Sequence, residues 1–170
     1  MTLRTATYRV PGGRLSVVVD SEASGDRDVD YGALVAATYR PLSDERFAHL
    51  SAGTIKAGHV PAVREAITAY GDGDLAAIDS LSVVQPGGAF MQSAWRALRG
   101  VPAGSVVTYA ELARKAGSAR AHRAAGTACS SNLVALVVPC HRVVASNGLG
   151  GYGYGTPIKV ALLEHEDALL

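Results

Sequence analysis

At Pro86-Gly87-Gly88 the chain changes texture, and that break constrains the fold more than any other feature. Upstream, "TATYRV" and "LSVVVD" flank Pro11-Gly12-Gly13, which predicts a β-hairpin. The acidic, turn-rich stretch 21–32 reads as a loop, and "ALVAATY" (33–39) as a third strand. "VPAVREAITAY" (60–70) has helical spacing and stops at Gly71.

Downstream, short helical stretches alternate with glycine turns. "AFMQSAWRALRG" (89–100) places Phe90, Ala94, Trp95 and Leu98 on one helical face and ends at Gly100. Thr108 can cap "YAELARKAG", and Ser118 can cap "ARAHRAAGTACS" (119–130). Two short helices around a glycine turn, the second bearing Arg120, His122 and Arg123, form a helix-turn-helix candidate. "LVALVV" reads as a buried strand, and "TPIKVALLEHE" as a final helix with Thr156 as N-cap and Pro157 behind it. The fold class is therefore α+β. A small N-terminal α/β domain spans 1–88, and a mostly helical domain carrying the helix-turn-helix and the chemistry spans 89–170.

A chain of 170 residues is long enough to bury a real core, and 48% hydrophobic with 18% charged residues is a globular balance. No apolar run could span a bilayer, so no membrane role is expected. "MTLRTATYRV" lacks the apolar centre of a signal peptide, which points to the cytoplasm. The two cysteines, Cys129 and Cys140, make no disulfide framework, and no CxxC or HxxxH spacing suggests a metal. "NGLGGYGYG" (147–155) lacks the context of a phosphate loop, and its glycines suit close approach to a flat ligand.

The net charge of +1 is unevenly spread. Residues 1–90 hold 8 Lys/Arg against 11 Asp/Glu, a balance of −3, whereas residues 91–145 hold 7 against Glu111 alone, a balance of +6. A basic segment of this kind suits an anionic partner. Arginines on solvated helix faces give the same count, so charge alone leaves both readings open.

The chemistry turns on "VVPCHRVV" (137–144). A buried structural thiol is the simplest reading of Cys140. The remaining histidines offer no metal spacing, the loop lacks the arginine of a cysteine phosphatase (Ser146 stands there), and the chain is short for a papain-like protease. A nucleophile needs a base or a positive field nearby, because a free thiol titrates near ~8.5. His141 is adjacent, and Glu166 on the last helix is the orienter of choice, with Glu164 as the alternative about 200° round that helix.

"PCHRV", the apolar run before it, "GLGGYGYG" and "LLEHE" after it, and the upstream "FMQSAWRALRGVPAGSVVTYAELARKAG" together resemble the O6-alkylguanine–DNA alkyltransferases over about 80 residues. Residues 1–88 resemble that family's first domain only in length and element order. The resemblance implies irreversible, single-turnover transfer of an alkyl group from O6 of guanine, or O4 of thymine, to Cys140, with no cofactor and no metal. It implies double-stranded DNA as partner, met in the minor groove by a monomer that flips the damaged base out. By the same resemblance, His141 is the base acting through a water, Glu166 its orienter, Tyr109 the phosphate contact and proton donor, and Asn132 a hinge beside the thiol. Arg123 fills the gap in the base stack, and Ala124, Arg120 and Ser130 face the DNA. Val143, Tyr152, Gly153 and Trp95 form the base pocket, and Arg142 is a structural cation behind it.

Three departures stand out: Leu133 where the family has proline, a glycine loop about one residue short, and no cysteine in residues 1–88 to hold a zinc ion. A lesion-binding sensor without repair activity is the main rival, but such proteins lack the acceptor cysteine. A transcription regulator would need the helix-turn-helix and not Cys140, His141 and Glu166 together.

Overall fold

The computed structural model describes residues 1–52 and 54–169. The chain divides into two compact units, Met1–Gln85 with Leu133–Val137, and Pro86–Asn132 with Val138–Leu170. Leu133–Val137, read from sequence as part of the second domain, packs with the first unit.

The first unit is built on a four-stranded sheet of order β3-β2-β1-β4. Strands β1 (Leu3–Val10) and β2 (Gly13–Asp20) form the expected hairpin, and its turn needs Gly12 at φ +93°. Strand β3 (Ala33–Thr38) pairs antiparallel with β2 through an irregularity at Val18/Val19. Strand β4 (Ile55–Ala57), which local pattern does not reveal, runs parallel to β1. Helix α1 (Pro61–Gly71) packs on β1 with Val63, Ala66, Ile67 and Tyr70 buried. The outer edge of β3 is covered by single parallel bridges from Val83 and Val134, which leaves little of that edge free for another strand.

The expected strand over 133–138 is not formed. Ala37 N–H donates to Leu133 O at 2.9 Å and Ala135 N–H to Ala37 O at 2.8 Å, and pairing then stops. Leu136 takes φ +70° and Val137 N–H closes a three-residue turn on Ala135 O at 2.8 Å. The run is buried as the sequence suggests, but burial does not distinguish a strand from a buried coil.

In the second unit, α2 (Ala89–Arg99) buries Ala94, Trp95 and Leu98 and ends at Gly100. Thr108 caps α3 (Tyr109–Lys115) by accepting from Glu111 N at 3.1 Å, as its spacing predicts. Helix α4 (His122–Ser130) starts later than expected. Ser118 does not cap it: its carbonyl takes Ala121 N–H at 3.0 Å in a turn, so Arg120 stands before the helix. Helices α2, α3 and α4 pack on one another. A two-residue parallel ladder joins β5 (Val107–Thr108) to β6 (Val143–Val144) and so brings the start of α3 beside the PCHR segment. Helix α5 (Thr156–His165) is preceded by Gly155 at φ +99°, so Gly155 and not Thr156 occupies the N-cap, and no side chain caps this end.

Candidate active site

Pro139 (φ −84°, ψ 63°) makes a second three-residue turn, closed by Cys140 N–H on Val138 O at 2.8 Å. One turn of 3₁₀ helix, Cys140–Arg142, follows and leads into β6. The three side chains of this turn are all buried.

Cys140 is 7% exposed. Asn132 Nδ2 donates to Val138 O at 2.8 Å and lies 3.3 Å from Cys140 Sγ, so the amide holds the turn and the sulfur together. Burial pushes the Cys140 thiol above its ordinary value, opposed by the Asn132 hydrogen bond and the positive charge of Lys159.

His141 is fully buried, with Nε2 2.9 Å from Glu166 Oε2. Arg142 grips the same carboxylate with two parallel bonds, Nε to Oε1 at 2.8 Å and Nη2 to Oε2 at 3.0 Å, and donates Nη1 to Val101 O at 2.7 Å. Burial acts to raise Glu166, but hydrogen bonds from His141 and Arg142 outweigh it and hold the carboxyl far below the usual range. The same burial lowers His141, and because Arg142 already neutralises Glu166, the imidazole stays uncharged. A neutral ring that donates Nε2–H to Glu166 carries its lone pair on Nδ1, which is buried without a partner among the described residues. That nitrogen is the basic atom of the site.

A cavity of about 240 Å³ opens beside the sulfur. It lies below the ~300–1,000 Å³ usual for drug-sized ligands and suits one planar base. Of the residues expected at the site, Cys140, Tyr109, Ser130, Tyr152 and Gly153 line it. Asn132, His141 and Glu166 stand behind the sulfur. Arg123 is exposed and Ala124 half-buried on the first turn of α4. Two expected pocket residues are placed elsewhere. Trp95 is core: its Nε1 donates to Ala128 O at 2.9 Å and its ring fills the space where Gly87 lacks a Cβ. Val143 is fully buried, and its carbonyl accepts from Lys159 Nζ at 2.6 Å.

Sequence reading missed four members of the site. Gly126 and Cys129 line the cavity from α4, Gly151 lines it from the glycine loop, and Lys159 lies buried behind that loop. The signal for Lys159 was present: with Leu162, Leu163 and Glu166 it shares an i, i+3, i+4, i+7 stripe, the buried face of α5.

Residues 89–168 match the DNA-binding domain of 6-O-methylguanine DNA methyltransferase. Over 98% of its length the chain superposes on the Mycobacterium tuberculosis O6-methylguanine methyltransferase, covering 93% of that protein with a TM-score of 0.75 and 30% identity. The chain belongs to the O6-methylguanine–DNA methyltransferase family. Over 102 residues, 59% of its length, the chain is 45% identical to the methylated-DNA–protein-cysteine methyltransferase of Salmonella typhimurium, and it spans only 60% of that protein. A methyltransferase-family structure from M. tuberculosis in complex with DNA superposes with a TM-score of 0.70 at 28% identity, over 98% of this chain and 93% of that one.

Proposed function

We propose that this protein repairs alkylated DNA directly, moving one alkyl group from O6 of guanine to Cys140 Sγ and reacting once. The observation that carries this reading is a base-sized cavity whose wall holds a thiol, with a buried neutral imidazole fixed behind it by Glu166 and Arg142. The relatives' names and the DNA complex of the M. tuberculosis protein support it.

The thiol proton passes to His141 Nδ1, directly or through one water, while Glu166 keeps the ring's other nitrogen as the donor. The sulfur attacks the alkyl carbon in line, the carbon–oxygen bond breaks, and its electrons move into the purine, which takes a proton from Tyr109 on the cavity wall. The resulting thioether is inert, which limits each molecule to one lesion, and no step calls for a cofactor. O4 of thymine presents the same chemistry.

The base reaches the cavity only if it leaves the duplex. Helix α4 offers Arg123 to the vacated stack and small residues, Ala124 and Ser130, for close approach to the minor groove, while Arg120 stands in the turn before it where a phosphate passes. Tyr152 and Gly153 close over the base. The protein acts as a monomer in the cytoplasm. The test is transfer of labelled methyl from duplex O6-methylguanine to protein, without additives. One label per protein molecule is expected. Label that stays in the DNA while the protein remains bound would identify a lesion sensor instead.

A further inference from the structure

The buried charges of the second unit do not balance until the sulfur ionises. Glu166 is neutralised by two bonds from Arg142, and His141 is uncharged. Lys159 remains, fully buried on α5. Its Nζ donates to two carbonyls, Val143 O at 2.6 Å and Gly151 O at 2.9 Å, and it makes no ion pair among the described residues. A buried ammonium with only carbonyl partners is expensive unless an anion comes within reach. The groups that share its field are the thiols of Cys140 and Cys129 and the His141 ring, with the Tyr109 hydroxyl facing the same two thiols from α3. Of these, Cys140 is the one beside a base that can take its proton.

We infer that Lys159 is the counter-ion of the Cys140 thiolate and, through Gly151, ties the state of that sulfur to the loop that walls the cavity. Burial lowers the Lys159 ammonium and the thiols raise it, so each ion supports the other. Alkylation ends this arrangement. The thioether is neutral and cannot ionise, so Lys159 is left as an unmatched buried charge holding the glycine loop.

The inference rests on Cys140 being the acceptor, and the test is chosen to be independent of DNA repair. The full chain is treated with iodoacetamide over a range of pH, and carboxamidomethylation of the Cys140 peptide is followed by mass spectrometry. In Lys159→Met the profile should move to higher pH by about one unit, the low end of what an opposite charge close by produces. Lys159→Arg keeps the charge and should follow the wild type. A Lys159→Met profile that coincides with wild type, or a Lys159→Arg profile displaced as far as that of Lys159→Met, would overturn the inference. Should the variants fail to fold, the wild type answers alone. The chain has three lysines, Lys56, Lys115 and Lys159, so carbon-labelled lysine gives a resolvable NMR titration of each. Lys159 should titrate at lower pH after Cys140 is carboxamidomethylated, and an unchanged titration would refute the counter-ion role.

Discussion

Cys129 and Cys140 line the same cavity and burial raises both thiols, yet the groups that bond around them differ. Cys129 sits in the last turns of α4, where burial raises its thiol and no side chain donates to it among the described residues. Cys140 follows a tight turn, with Asn132 on its sulfur, a neutral imidazole next in the chain and a carboxylate–guanidinium pair fixing that imidazole. Lys159 opposes the rise at both thiols, but at Cys129 the charge of Cys140 acts more strongly than Lys159 and works against ionisation. The difference teaches that position in a pocket does not make a nucleophile. In the proposed mechanism the sequence-distant Glu166 and the adjacent His141 do.

The comparison can be broken most severely at His141. His141→Gln removes the base and should slow methyl transfer by ~10²–10⁴-fold, the usual worth of general base catalysis. The reactivity of Cys129 toward iodoacetamide should stay as it is. Equal losses at both thiols in single-turnover assays would mean that the substitution acts by unfolding.

A change one residue on should act through stability first. Arg142→Met leaves Glu166 buried and without its two guanidinium bonds, and breaking such a pair costs about 3–5 kcal/mol. Urea unfolding should show this loss, whereas the exposed pair Arg27–Asp26 in the first unit should give a change under about 1 kcal/mol on Arg27→Ala. A small loss at Arg142 would show that the site relaxes around the orphaned carboxylate.

Arg123→Ala should leave the cavity chemistry alone and slow only the reaction that needs a flipped base. Transfer from duplex O6-methylguanine should fall tenfold or more, because holding a base unstacked costs a few kcal/mol. Reaction with free O6-benzylguanine should change little. Equal slowing on both substrates would make Arg123 part of the fold.

The mildest effect is on acid stability. His141 binds its proton less readily folded than unfolded, because burial lowers it more than Glu166 raises it. Its folded value lies below the unfolded ~6.5, so stability is complete above that pH and declines as pH falls through it. Glu166, also depressed, contributes above its unfolded ~4.3 and is lost only on further acidification. The urea midpoint should fall gently from about pH 6.5 downward, and His141→Gln should flatten that limb. A wild-type midpoint that holds constant from pH 7 to pH 5 would contradict the neutral, buried imidazole.

Much of this was legible along the chain because the causes are local. Pro11-Gly12-Gly13 turns a hairpin, Thr108 and Glu111 sit at capping-box spacing, and Gly100 ends α2. Cys140, His141 and Glu166 were visible as a thiol, an adjacent imidazole and a carboxylate at the end of the last helix, and the structure joins His141 to Glu166. What stayed hidden depends on distant partners. Strand β4 forms only because β1 accepts it, and Ser118 caps nothing because its carbonyl closes a turn on Ala121. "LVALVV" alternates no better as a strand than as coil, and the bonds of Ala37 decide where pairing ends. Trp95 carries the composition of a binding residue but is drawn into the core by the Ala128 carbonyl. Lys159 was passed over because a lone lysine on a final helix is normally at the surface.

The central claim, that Cys140 rather than Cys129 accepts the alkyl group, is tested most directly by peptide mapping after reaction with duplex O6-methylguanine DNA. Wild type and Cys129→Ala should each carry one methyl on the peptide containing Cys140, and Cys140→Ser should carry none while still binding the DNA. A methyl on Cys129, or any transfer to Cys140→Ser, would contradict the account.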